Sequence, residues 1–573
     1  MKTTKKSVIV ITAVILAVII AAGGITSICW HLSKVNSKAP QTQATPIVVD
    51  ISPGSTLVVQ SGSVLVVSCT ALSGSTVTAT FANETITLTE NKSQQQGYSE
   101  FVGNFTTPEN LAETKSFGAV TFNIASERGS TIVTGGEIFV ETNTPKTQQE
   151  TAGYPVGSEY KNVGNTHIIE VVHEQAETFS ASDKSDISRP TNNYLPKGTV
   201  DYCSPKPKTI KAQGKKINLY TARYGKQLYE TSPRNTQNTI IYKGTLPETN
   251  TVNSLGAKTV GHHTVMTFAV DWKAPFKFDI KPQDYLLDSS SSYIDVADRY
   301  YAIEEPTFNY IDITFCYASE LGGKLNLAGN PVFSGAEIIK GDYDYVLRLH
   351  LKEKGVFYGW SAEYNQNGEL EFWFLNPTKL EPANNDYGVS LNGITIVVDV
   401  GHGGADTGAY GLADNIHEKE LNLNLALELE KQLTELGATV YMTRTDDSYI
   451  EVSDRIALVN RVKPDYVVSV HRNASDKSED SGFSSFYFTP FSYTPALNML
   501  EAVDKAQIFP TTEWTVVEWH YFFLCRVTNC PSVLTENGFV SNRNDYYSMQ
   551  TSAQNQANAK AIIKGITDYL KTW

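Results

Sequence analysis

Two histidines and two carboxylates in the last third of the chain have the residue types and placing for metal-assisted hydrolysis. His402 lies in GHGGADTGA directly after the apolar run ITIVVDV, His471 follows YVVSV, Glu536 follows PSVLT, and Glu418 opens EKELNLNLALELE. Two imidazoles and a carboxylate can fill three tetrahedral positions around Zn2+ and leave the fourth to water, with Glu536 as the spare acid beside that water. Each residue also has a plainer reading. His402 could be a loop histidine, and Gly401, Gly403 and Gly404 could cradle a phosphate, although neither G-x-x-x-x-G-K-[ST] nor G-x-G-x-x-G occurs. Glu418 is favoured at a helix start by the dipole alone. Glu536 could cap a helix or pair with a cation, and His471 could be structural. Convergence on one edge is what argues for chemistry.

The elements that must bring them together are legible as pattern. ITIVVDV, ATVYMT, YVVSV, FSSFYF and PSVLT read as strands. Leu421, Leu425, Leu429, Leu433 and Leu436 form one helical stripe that stops at Gly437; DRIALVNRV reads as a second helix, and Ile562, Ile563, Ile566 and Leu570 mark a last one. Alternating strands and helices predict an α/β domain over residues 391–573, a mostly parallel sheet flanked by helices, with its ligands outside the carboxyl ends of the strands. An aromatic stretch from Glu513 to Phe523 contains Trp514, Trp519, His520 and Phe522. It could line the groove or be a packed surface helix.

This segment, from about Gly393 to Trp573, resembles the zinc-dependent N-acetylmuramoyl-L-alanine amidases of the amidase type 3 family. The matching motifs, in order, are DVGHGGADTGA, HEKELNLNLALEL, TRTDD, SVHRNAS and LTENGFVSN. Val400 stands where the family usually has proline. The resemblance implies that His402, Glu418 and His471 are metal ligands for Zn2+, that Glu536 is the catalytic residue, and that the substrate is the peptidoglycan amide between N-acetylmuramic acid and L-alanine. His417 is an alternative ligand to Glu418 that the family position disfavours. Competing readings are an anchored wall-binding or regulatory protein with a degenerate amidase domain, and another zinc peptidase acting on cell-wall peptides. A weaker likeness, from Gly341 to Tyr364, is to β modules that precede such amidases in Gram-positive proteins.

The remaining chain supplies position. Its 573 residues predict about four domains at roughly 150 residues each. Short β-branched runs between turns predict an immunoglobulin-like β-sandwich over 46–142, and β-rich module(s) over 157–390, separated by polar linkers at 34–45 and 143–156. The expected fold class is therefore multi-domain, all-β modules before an α/β catalytic domain. These modules could meet a wall polymer or a regulatory protein. Residues 1–33 read as an N-terminal transmembrane anchor or a signal sequence: Lys2, Lys5 and Lys6 precede an uncharged stretch from Ser7 to Trp30, about 36 Å as a helix. Ile25, Ile28 and Trp30 prolong it past the small residues at Ala21–Gly23, which favours the anchor. That predicts a single-pass protein of the cell membrane with its C-terminal bulk extracellular, or alternatively one secreted to the cell wall. Lys plus Arg number 47 against 61 Asp plus Glu, a net charge of -14, so bulk attraction to nucleic acid is not expected. Cys525 and Cys530 could pair in an oxidising exterior, or each be a small buried hydrophobe.

Overall fold

The strand ITIVVDV splits its side chains between two cores, which explains much of the architecture. In the computed structural model, which describes residues 47–92, 97–111, 113–142, 163–180, 190–212, 215–231, 236–280, 308–342, 344–413, 416–509 and 511–573, this strand spans Thr395–Val400 (β1). Around it lie Thr439–Met442 (β2), Tyr466–Asn473 (β3), Phe483–Tyr487 (β4), Thr511–Glu518 (β5) and Ser532–Phe539 (β6). The sheet order is β2-β1-β3-β6-β4-β5. β1 runs parallel to β2 and β3, and β3 parallel to β6; β4 is antiparallel to β6 and parallel to β5. The helices are Glu418–Glu435 (α1), Val452–Val462 (α2), Tyr493–Lys505 (α3), Arg543–Ser548 (α4) and Ser552–Leu570 (α5).

Because strand side chains alternate, Ile396, Val398 and Val400 of β1, with Val468 and Val470 of β3, face a core closed by Leu425, Leu429 and Leu433 of α1 and Ile562, Ile563 and Ile566 of α5. Val397 and Val467 face the other way. There they join Val459 of α2 and a large aromatic cluster from upstream, including Phe276, Phe278, Trp360, Phe372 and Phe374. Phe278 and Trp360 stack with ring centroids 3.7 Å apart. One face of this sheet is thus sealed partly by β structure from residues 272–374 and not by helices alone.

The upstream strands also combine across long distances. Phe333–Lys340 pairs antiparallel with Val64–Leu72 through Ala336 with Val66, Glu337 with Leu65 and Ile338 with Val64. The resulting eight-stranded sheet runs from Phe276–Ile280 through Tyr310–Cys316, Asp344–Leu351, Phe333–Lys340, Val64–Leu72 and Tyr98–Thr106 to Thr89–Lys92, with Val48–Ser52 paired to Val64–Leu72.

These observations correct the expected fold class. The described chain is predominantly β, and the strands expected in separate modules are interleaved in one sheet. Hydrophobic alternation marks a strand but carries no information on which distant strand completes it. The transmembrane helix and the single-pass location are corrected as well: among the described residues no helix is long and apolar enough to cross a membrane. The stretch Ser7–Trp30 lies outside the described residues. Cys525 and Cys530 are both free and buried.

Candidate metal site and catalytic carboxylate

The carboxyl ends of β1, β3 and β6 and the first turn of α1 meet at one edge of the sheet. His402 comes two residues after β1, His471 and Glu536 sit on β3 and β6, and Glu418 is the first residue of α1. The ligand atoms of His402, Glu418 and His471 all lie within 4.8 Å of one another. Glu418 Oε1 is 3.1 Å from His402 Nε2 and 3.0 Å from His471 Nδ1. The same oxygen accepts the Arg472 backbone N–H at 3.1 Å and the Asn422 side-chain amide at 3.2 Å, while Oε2 accepts the Ala409 N–H at 2.9 Å. The second nitrogen of His402, Nδ1, lies 2.9 Å from Asp406 Oδ1. Glu536 pairs in register with His471 across the two parallel strands. His417 lies outside this group; it caps α1, and its backbone N–H donates to Glu420 at 2.8 Å.

Two glycines permit this crowding. A Cβ on Gly401 would stand 2.4–2.6 Å from the His471 ring atoms, and one on Gly408 would stand 2.5 Å from Glu418 Oε2 and 2.6 Å from His402 Cδ2.

Three buried arginines, which sequence reasoning passed over although it named the stretches holding all of them, stiffen the arrangement. Arg455 Nη2 donates to the His402 carbonyl at 2.8 Å, and Nη1 to Asp399 at 2.8 Å. Arg444 Nη2 donates to the carbonyls of Gly401 and Lys419, each at 2.8 Å, tying the β1 loop to α1. Arg472, 1% exposed, donates to the Asn537 carbonyl, and its charge is felt by both Glu418 and Glu536. A charged residue immediately after a candidate ligand histidine in SVHRNAS was the available signal. The aromatic stretch is not a helix: it continues from β5 into a turn and a short 3-10 helix, Phe523–Arg526. Its Phe522 ring lies nearly parallel to His471, centroids 6.4 Å apart at 17°.

The electrostatics separate the two carboxylates. Burial would raise Glu418, but hydrogen bonds from His402 and His471 pull it far below the usual carboxylate range. Glu536 is pushed well above that range, first by burial and then by the charge of Glu418, with Arg472 opposing. Burial would lower His402, yet Glu418 and Asp406 carry it to about 8. Burial lowers Arg472 to about 9 against the pull of Glu418, Glu536 and Asp545.

Two imidazole nitrogens and one carboxylate held this close form a donor set suited to a divalent ion of the zinc type. Glu536 Oε2 is buried without a hydrogen-bond partner among the described residues, which leaves it available to a polar group entering the site.

The family profile described as N-acetylmuramoyl-L-alanine amidase matches residues 396–568. The probable cell wall amidase LytH of Staphylococcus epidermidis is 34% identical over 221 residues, 38% of this chain and 68% of that protein. The chain belongs to the N-acetylmuramoyl-L-alanine amidase family. Membership makes its reaction class amide hydrolysis in peptidoglycan. The amidase LytC of Bacillus subtilis is 28% identical over 180 residues, 31% of this chain and 36% of that protein. The catalytic domain of the amidase CwlV from Bacillus (Paenibacillus) polymyxa is 30% identical, covering 31% of this chain and 99% of that one at a TM-score of 0.30.

Proposed function

We propose that the chain is a zinc-dependent N-acetylmuramoyl-L-alanine amidase, exported to act on the cell wall, in which residues 391–573 carry the chemistry. His402, Glu418 and His471 would hold Zn2+, which when bound supplies Lewis acidity toward a water and an amide carbonyl. Glu536 takes a proton from the attacking water as its oxygen bonds to the lactyl carbonyl carbon. The carbon–nitrogen bond then breaks, and Glu536 returns that proton to the departing nitrogen of L-alanine. Its burial and the nearby Glu418 charge raise its proton affinity, which suits both halves of the transfer. The charge of Arg472 limits that rise. Asn422 holds Glu418 in orientation, and Asp406 sets a negative charge beside His402.

The observation that carries this reading is the meeting of His402, Glu418 and His471 within 4.8 Å beside a buried carboxylate in a family member. Glu536→Gln should retain bound zinc by elemental analysis and lose about 10²–10⁴-fold in peptide release from purified peptidoglycan. Substantial remaining hydrolysis would remove Glu536 from the proton transfer. Mass spectrometry of the products should show intact stem peptides beginning with L-alanine and glycans with free lactyl carboxyls; cleavage within the stem would identify a peptidase instead.

A further inference from the structure

Phe522, which faces His471, belongs to a segment gripped from outside the hydrolase sheet. Four residues on, the Arg526 side chain is 6% exposed. Its Nη1 lies 3.3 and 3.2 Å from the two carboxylate oxygens of Glu177, a residue 349 positions earlier on the strand Gln175–Ser180. Its Nε donates to the His520 carbonyl, and its guanidinium lies 4.3 Å from the Phe523 ring centroid. The Tyr194 hydroxyl stands 3.0 Å from Glu177 Oε1 and 2.8 Å from the Arg526 carbonyl oxygen. The other side of the segment is tied to the sheet, where Ser532 Oγ donates to the Leu524 carbonyl at 2.7 Å and the Phe522 ring packs on Phe486 with centroids 5.1 Å apart. One arginine therefore connects a carboxylate of the upstream β region to both ends of the turn that presents an aromatic ring to the metal site.

We propose that Glu177 is a positioning residue of the amidase site: through Arg526 it fixes the turn from Trp519 to Val527, so that Phe522 forms a stationary wall against which the substrate's lactyl-peptide portion rests beside His471. The upstream β region is then a working part of the site. The proposal rests on the amidase reading for its substrate and on geometry alone for the positioning. Glu177 meets the segment through Arg526 and Tyr194. A charged fork held by a carboxylate and a tyrosine hydroxyl sets direction as well as distance, and loss of the carboxylate leaves Arg526 free to swing while the sheet beneath stays formed.

The test uses the full chain. Glu177→Gln should raise the KM for a soluble muropeptide at least about fivefold while kcat stays within about threefold and zinc content is unchanged. Phe522→Leu should raise KM similarly, and the double variant should be no worse than the worse single, because residues acting through one contact do not add. Tyr194→Phe, which removes one hydroxyl, should give a smaller shift in the same direction and serves if Glu177→Gln does not fold. A smaller KM change in Glu177→Gln, or effects of the two substitutions that multiply, overturns the proposal. Hydrogen exchange separates this from the functional reading: in Glu177→Gln the amides of 519–527 should exchange at least about tenfold faster with those of β3 unchanged. No hydrolysis by the unmodified chain would defeat the amidase reading while leaving that exchange result to decide the positioning; unchanged exchange at 519–527 overturns it.

Discussion

Asp399 shows how much of the site is built by residues that do no chemistry. It is 1% exposed and accepts hydrogen bonds from Arg455 at 2.8 Å, Ser469 at 2.5 Å and Thr443 at 2.9 Å, joining α2, β3 and the loop after β2 at the carboxyl end of β1. Burial alone would raise its pKa, but Arg455 and Ser469 hold it below the ordinary value. Removing one partner of a buried ion pair leaves the other uncompensated, so Asp399→Ala should cost about 3–5 kcal/mol in denaturant unfolding. A loss under about 1 kcal/mol would show that Arg455 finds another partner. The four candidate site residues could be picked out in the sequence because each follows an apolar run or opens a helix. It hid Arg444, Arg455 and Arg472, because a buried arginine has no periodic signature and is recognised only by the carbonyls that surround it.

Elements were legible where one chain segment sets its own environment. The Leu stripe of α1 and the split faces of β1 both follow from local periodicity. Turns were legible only as glycine, and their purpose emerged from what they pass. Gly401→Ala should push His471 aside, since its Cβ would fall 2.4–2.6 Å from the ring, and metal affinity measured by competition with a chelator should fall about 10–100-fold. Affinity equal to that of the unmodified chain would mean that the β1 loop yields instead. The aromatic stretch after β5 was ambiguous as sequence because its partner, Glu177, lies 349 residues away.

At the scale of the molecule, the boundary between positioning and chemistry is bridged by polar contacts as well as by the shared aromatic core. His262 Nδ1 is 2.8 Å from Asp465 Oδ1, whose Oδ2 accepts the Thr395 N–H at 2.7 Å, and Lys463 meets Glu363 at 2.8 Å. The hydrogen bond to Asp465 raises the His262 pKa. Its contribution is therefore complete below the unfolded histidine value of about 6.5 and fades as pH rises through the raised folded value. With His262 partly exposed and Asp465 buried, His262→Asn should lower stability by about 0.5–1 kcal/mol near pH 6 and by less at alkaline pH. An equal loss at both pH values would assign the effect to packing. Module borders were the least legible feature, because strand pairing between Val64–Leu72 and Phe333–Lys340 leaves no local trace. That pairing also fixes a timetable. A chain made from its amino end presents Val64–Leu72 about 270 residues before its neighbour exists. Until then the Val64–Val66 part of that edge, beyond the stretch covered by Val48–Ser52, is open to any passing extended segment.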